Sequence, residues 1–149
     1  MQKVILDTNV FVSSFLTIGY PQQIVDAFLQ DRFILCVSDS VIKEYYEVFN
    51  RPKFSDYPDF AFRAARTLRH MESQAVFFVT DKIPSVSPDE DDNIFIALAE
   101  TSQADFLVTG NIRDFGMSRV GQKSSARKIF LSSFFNSASV FRTSVDLWN

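Results

Sequence analysis

Two hydrophobic patterns alternate along the chain: short continuous apolar runs, and longer segments with apolar residues three or four positions apart. A short apolar run bounded by polar residues is typical of a strand buried on both faces, and the longer spacing is typical of an amphipathic helix. The runs predict five strands, at about residues 3–6, 33–37, 75–79, 106–109 and 128–131. Because helical segments separate these strands, we expect an α/β fold with a mainly parallel sheet covered on both faces.

The helical segments carry recognisable start signals. They are predicted at about residues 10–16, 21–30, 40–50, 60–72 and 92–101. Thr8 or Asn9 is expected to cap the first helix, and residues 38–40 are candidate caps for the third. The last helix is apolar nearly all round, so we expect it to be deeply buried. No element is predicted for the tail, residues 137–149.

Length and composition favour one globular domain over residues 1–149. The net charge of −3 argues against broad electrostatic binding to nucleic acid, but not against an enzyme whose acidic side chains hold metal ions. The one cysteine, Cys36, cannot form an intrachain disulfide, which favours a reducing compartment. No apolar run reaches the roughly 18–20 residues that a membrane span needs, and the N-terminus begins as a strand rather than a signal peptide. We therefore expect a cytoplasmic protein.

Polar side chains recur where predicted strands end or helices begin. Asp7 follows the first strand directly, and Asn111 and Asp114 follow the fourth. Glu44 borders the apolar stripe of the third helix, and Asp92 opens the most apolar helix. Taken singly, each could be a solvated acid, a helix-dipole partner or a turn residue. Taken together, they fall on the same edge of the predicted sheet, where ligands bind in open α/β folds.

Several carboxylates that converge on one edge repel one another unless a cation neutralises them. Mg²⁺ and Mn²⁺ suit this role, because both are hard ions that accept carboxylate oxygens and retain several waters. A site of this kind is suited to phosphodiester hydrolysis. The acids therefore predict a metal-dependent enzyme that acts on nucleic acid.

Four blocks of sequence together resemble the PIN-domain ribonucleases. In order, they are Val4-Ile5-Leu6-Asp7-Thr8-Asn9-Val10-Phe11, Ser38 with Glu44, Asp92 with Ala97 and Ala99, and Leu107-Val108-Thr109-Gly110-Asn111-Ile112-Arg113-Asp114-Phe115. The chain is most similar to the VapC-like branch, the toxin components of type II toxin–antitoxin pairs. The resemblance covers about residues 2–136.

The resemblance implies a three-layer α/β/α fold and Mg²⁺- or Mn²⁺-dependent endonuclease activity on RNA. Asp7, Glu44 and Asp92 match the three acids of the family, and Asn9 matches the polar residue that supports the first. The fourth acidic position is occupied by Asn111, with Asp114 three residues further on. The resemblance also implies an antitoxin partner and a homodimer.

The predicted mechanism gives each residue a role. Asp7 and Asp92 are the principal metal ligands, and Glu44 orients or deprotonates the attacking water or binds the metal through water. Asn111, as a ligand, or Asp114 completes the outer coordination shell. Ser40 and Thr109 are expected to support the site through hydrogen bonds. The cations expected to contact single-stranded RNA lie near the fourth acid, at Arg113, Arg119 and Lys123.

Three other functions fit parts of the pattern. A phosphatase of the haloacid dehalogenase type would use Asp7 as a nucleophile, but it needs a second Asp at the position of Asn9. A non-catalytic PIN module that binds a protein or nucleic acid would be expected to lack one of the acids. A structure-specific DNA nuclease shares the chemistry, but no arch insertion or DNA-binding motif is present.

Overall fold

The computed structural model describes residues 1–80, 90–109 and 128–131, with the side chains of 90–92 and 128–131 excepted. The strands are β1 (Lys3–Leu6), β2 (Ile34–Val37), β3 (Val76–Phe77), β4 (Phe106–Thr109) and β5 (Lys128–Leu131). The helices are α1 (Thr8–Leu16), α2 (Tyr20–Leu29), α3 (Asp39–Phe49), α4 (Pro58–Gln74) and α5 (Glu90–Ser102). A short 3₁₀ helix, Pro52–Phe54, joins α3 to α4.

The five strands form one parallel sheet in the order β3-β2-β1-β4-β5. β1 is central, and its residues Ile5 and Leu6 pair with Leu107 and Val108 of β4. The chain moves from β1 to β2 on one side and later adds β4 on the other. This reversal opens a crevice between the carboxyl ends of β1 and β4, which is the usual ligand site of such sheets. The predicted α/β fold with a parallel sheet is confirmed.

The central strands of the parallel sheet are apolar on both faces. In β1, Val4, Ile5 and Leu6 are completely buried, as expected for a strand with helices on each side. Aromatic rings fill much of the layer between the sheet and α1, α3 and α4. The ring of Phe11 lies 5.0 Å from that of Tyr45 in an edge-to-face contact, and Phe15 meets Phe60 at 5.3 Å.

Several predicted boundaries need correction. The prediction that Thr8 or Asn9 caps the first helix is wrong, because α1 already begins at Thr8 and Asp7 is its N-cap residue. α4 begins at Pro58 rather than residue 60, since proline is suited to the first turn of a helix. β3 is only two residues long because pairing with β2 ends at Phe77, and as an edge strand it keeps Val76 43% exposed.

The predicted burial of the last helix is confirmed. Phe95, Leu98 and Ala99 of α5 are at most 1% exposed, and the helix packs on β1 and β2. Its C-terminal end lies at the amino edge of the sheet, where the Lys3 ammonium donates a 3.1 Å hydrogen bond to the Ser102 carbonyl. The first turn of α5 therefore faces the carboxyl edge. Among the described residues, no helix has the length and apolar character needed to cross a membrane.

Candidate active site at the carboxyl edge of the sheet

Asp7 lies at the crevice between β1 and β4, and only 6% of its surface is exposed. Its backbone N–H donates to the Val108 carbonyl at 2.9 Å, and its own carbonyl accepts from Val10 at 3.0 Å as α1 begins. Oδ2 of Asp7 accepts a 2.9 Å hydrogen bond from the Thr109 hydroxyl at the end of β4. A completely buried hydroxyl therefore holds the carboxylate in place.

Glu44 is brought to the same region by a hydrogen bond from Thr8. The Thr8 hydroxyl is buried and donates to Oε2 of Glu44 at 2.7 Å. Since Thr8 follows Asp7 directly, this bond connects α3 to the residue next to the first predicted ligand. Glu44 is half-buried at the border of the apolar stripe of α3, as the helical spacing predicts.

Tyr45 follows Glu44 on α3, and its side chain reaches the residue before Asp7. Its ring is completely buried, and its hydroxyl donates a hydrogen bond to the Leu6 carbonyl. Burial, followed by the negative charges of Asp7 and then Glu44, holds the pKa of Tyr45 well above its ordinary value. The phenol therefore stays neutral and remains a hydrogen-bond donor.

The first turn of α5 brings the third acid position towards this edge. Asp92 lies in that turn, but its side chain is outside the described part of the structure. The next residue, Asn93, is 4% exposed, and Phe95 places its ring 6.3 Å from that of Tyr45. The backbone of Asp92 is therefore about one helical turn from Phe95, whose ring contacts Tyr45.

The supporting residues predicted from the sequence are only partly placed. Asn9 is exposed on α1, and the described contact to the Asp7 carboxylate comes from Thr109. Ser40 is half-buried in the first turn of α3, while Ser38 caps this helix by accepting from the Val41 N–H at 3.4 Å. The other predicted positions lie outside the described residues: Asn111, Asp114, Arg113, Arg119 and Lys123.

Sequence reasoning missed the roles of Thr8 and Tyr45. The signal for Thr8 was its place directly after Asp7, where a helix would turn its hydroxyl towards a neighbouring element. Tyr45 fits the apolar stripe of α3, so its spacing predicts a buried ring. The spacing does not show whether the hydroxyl makes a specific hydrogen bond.

The described side chains suit a hard divalent cation at this edge. Asp7 and Glu44 offer carboxylate oxygens, which are ligands that such an ion prefers, and a cation would offset the cost of keeping the buried Asp7 charged. Among the side chains that the structure describes, no three of the type His, Cys, Asp or Glu form a group able to hold a metal ion. The carboxylate of Asp92 is not among these described side chains.

Comparisons with known proteins identify the family of this chain. A family model for the PIN domain matches residues 3–113, most of the chain. The uncharacterized protein MJ1680 of Methanocaldococcus jannaschii is 33% identical over 110 residues, which are 73% of this chain and 70% of that protein.

A crystal structure of VapBC2 from Rickettsia felis, bound to a DNA fragment from its promoter, is also similar. Its TM-score is 0.48 at 15% identity, and the match covers 74% of this chain and 89% of the other. A similarity this low does not bear on function. PIN domains are generally nucleases. From the match of the family model and of the archaeal relative, the chain belongs to the PIN-domain family.

Proposed function

We propose that this protein is a Mg²⁺- or Mn²⁺-dependent endoribonuclease that hydrolyses phosphodiester bonds in single-stranded RNA. The observation that supports this most directly is the buried carboxylate of Asp7 in the crevice between β1 and β4. Thr109 holds that carboxylate, and Thr8 ties the neighbouring backbone to Glu44. A buried, oriented carboxylate at this edge is suited to binding a cation rather than to stabilising the fold.

The proposed ligands are Asp7, Asp92 and Asn111, with Asp114 in the outer coordination shell. PIN-domain nucleases generally use divalent metals. A divalent ion held there would lower the pKa of a bound water and offset negative charge at the phosphorus and the leaving oxygen.

Glu44 is the proposed general base. The hydrogen bond from Thr8 fixes the orientation of its carboxylate, so that Glu44 can hold and deprotonate the attacking water. The hydroxide oxygen forms a bond to phosphorus as the bond to the 3′ oxygen breaks. The leaving 3′ oxygen takes a proton from solvent water, so the products are a 5′-phosphate and a 3′-hydroxyl. The proton removed from the attacking water is carried by Glu44 and then released to solvent.

The biological role that we propose is that of a toxin in a toxin–antitoxin pair. This proposal rests on the four sequence blocks that resemble VapC-like toxins. It implies a cognate antitoxin protein as partner, a homodimer, and action on cytoplasmic RNA. Arg113, Arg119 and Lys123 are the cations proposed to contact the RNA backbone.

An RNA cleavage assay with matched variants tests the proposed activity. Labelled single-stranded RNA is incubated with wild type, Asp7→Asn, Glu44→Gln and Asp92→Asn, each with Mg²⁺, Mn²⁺ or a chelator. We expect cleavage by wild type only with metal, and a loss of at least roughly 100-fold in each variant. The matched control is Asp105→Asn, whose carboxylate accepts from the Lys3 backbone N–H at 3.0 Å at the opposite edge of the sheet.

Asp105→Asn is expected to cleave RNA at the wild-type rate. This result would show that loss of cleavage requires loss of an acid at the site and not of any acid in the protein. Equal cleavage by wild type and the three acid variants would contradict the mechanism. A folded wild-type protein that binds RNA or a partner protein without cleaving RNA would instead favour a non-catalytic PIN module.

A further inference from the structure

The peptide unit between Leu6 and Asp7 is held on both of its sides. Its N–H group, on Asp7, donates to the Val108 carbonyl at 2.9 Å. Its carbonyl group, on Leu6, accepts a hydrogen bond from the buried hydroxyl of Tyr45. The backbone from which the Asp7 side chain projects is therefore fixed by the sheet on one side and by a single side chain on the other.

The ring of Tyr45 has little freedom to move. It meets the ring of Phe11 edge-to-face at 5.0 Å, stacks on Phe49 at 6.0 Å and contacts Phe95 at 6.3 Å. These aromatic residues come from α1, α3 and α5. Because close-packed rings hold one rotamer, the hydroxyl is directed to the Leu6 carbonyl before any ligand binds.

Tyr45 also contacts the three elements next to Asp7, Glu44 and Asp92. It follows Glu44 on α3, its hydroxyl reaches the residue before Asp7, and its ring packs on Phe95 of α5, the helix whose first turn contains Asp92. A core tyrosine needs a hydrogen-bond partner, but many acceptors would satisfy it. The Tyr45 hydroxyl donates to the carbonyl of Leu6, the residue directly before the proposed metal ligand Asp7.

We propose that Tyr45 is a positioning residue for the metal site, which acts through the Leu6 carbonyl to fix the carboxylate of Asp7. This inference rests on the proposed function, because it concerns the same site. Metal affinity depends on ligands held close to their bound geometry, and loss of a supporting hydrogen bond typically weakens metal binding 10–100-fold. Since Tyr45 acts through the backbone, we expect the lower end, about 10-fold.

Two neighbouring tyrosines provide a matched pair for the test. Tyr45→Phe removes the hydroxyl that reaches Leu6, while Tyr46→Phe removes an exposed hydroxyl that donates to Glu72 at 2.6 Å. Mn²⁺ affinity is measured by calorimetry on each folded protein without RNA. We expect binding about 10-fold weaker in Tyr45→Phe and unchanged in Tyr46→Phe.

A packing control separates site geometry from stability. Phe54→Leu disturbs a buried ring that stacks on Phe60 at 4.2 Å, away from the rings of Phe11, Phe49 and Phe95 that pack on Tyr45. We expect it to lower the unfolding temperature while Mn²⁺ affinity stays that of wild type. Tyr45→Phe keeps its ring contacts, so the fall in its unfolding temperature should be too small to explain its loss of metal affinity.

Three results would overturn the positioning role: wild-type affinity in Tyr45→Phe, equally weakened affinity in Phe54→Leu, or failure of Tyr45→Phe to fold. The last would mean that the hydroxyl serves the fold rather than the site. Failure of the proposed function is distinguishable, because in that case the wild-type protein itself binds no Mn²⁺ and cleaves no RNA.

Discussion

Thr109 donates a 2.9 Å hydrogen bond to the carboxylate of Asp7, although the two residues are 102 positions apart in sequence. The bond joins the carboxyl ends of β1 and β4 at the crevice between them. Thr109 is completely buried, so its hydroxyl exchanges little with water and holds Oδ2 in a fixed position. This hydrogen bond offsets part of the cost of burying the charged Asp7 side chain and fixes the orientation of its carboxylate.

Removal of the Thr109 hydroxyl should destabilise the protein. Thr109→Val keeps the shape of the side chain but leaves a buried carboxylate oxygen without this donor, which should cost about 1–3 kcal/mol in free energy of unfolding. Urea unfolding at pH 7 with a chelator measures the loss without contribution from metal. Thr109→Ser keeps a hydroxyl and should retain most of the stability. Equal losses in Val and Ser would show that packing, not the hydrogen bond, is responsible.

The hydrogen bond from Thr8 to Glu44 should matter more for catalysis than for RNA binding. Thr8→Val removes a donor to a charged group, worth about 1.5–3 kcal/mol, so we expect kcat to fall roughly 10–100-fold with little change in KM. The control is Thr17→Val at the other end of α1, where the exposed hydroxyl donates to the Ser13 carbonyl at 2.9 Å. A KM effect without a kcat effect would argue against Glu44 as the base.

Sequence reasoning recovered what short-range patterns determine. The apolar runs gave β4 and β5 with their observed bounds, and helical spacing placed Glu44 at the border of its stripe. It failed where tertiary pairing decides, as in the two-residue β3, whose length is set by its contacts with β2. The bonds from Thr8 to Glu44 and from Tyr45 to Leu6 span 36 and 39 residues, so no local pattern contains them.

Stability should fall at alkaline pH, partly because of Cys36. Burial raises the pKa of its thiol from 9.0 to about 11, so between these values the unfolded chain loses a proton that the folded protein keeps. Stability from this group is therefore complete below pH 9 and is lost as the pH rises through 11. The pKa of Tyr45 is raised in the same direction.

Comparison of wild type with Cys36→Ala isolates this contribution. From pH 8 to pH 10.5, wild type should lose about 2 kcal/mol more free energy of unfolding than the variant. Any packing cost of the substitution is present at both pH values, so it cancels in the difference. Equal losses of unfolding free energy in the two proteins would mean that ionisation of the Cys36 thiol does not contribute to the pH dependence.

Titration of the protein with Mn²⁺ by calorimetry measures whether the carboxyl edge of the sheet at Asp7 binds a divalent metal. Wild type and Asp105→Asn should bind Mn²⁺ alike, while Asp7→Asn should bind at least roughly 100-fold more weakly. Mn²⁺ binding of equal strength by wild type and Asp7→Asn, or no binding by wild type, would contradict the account.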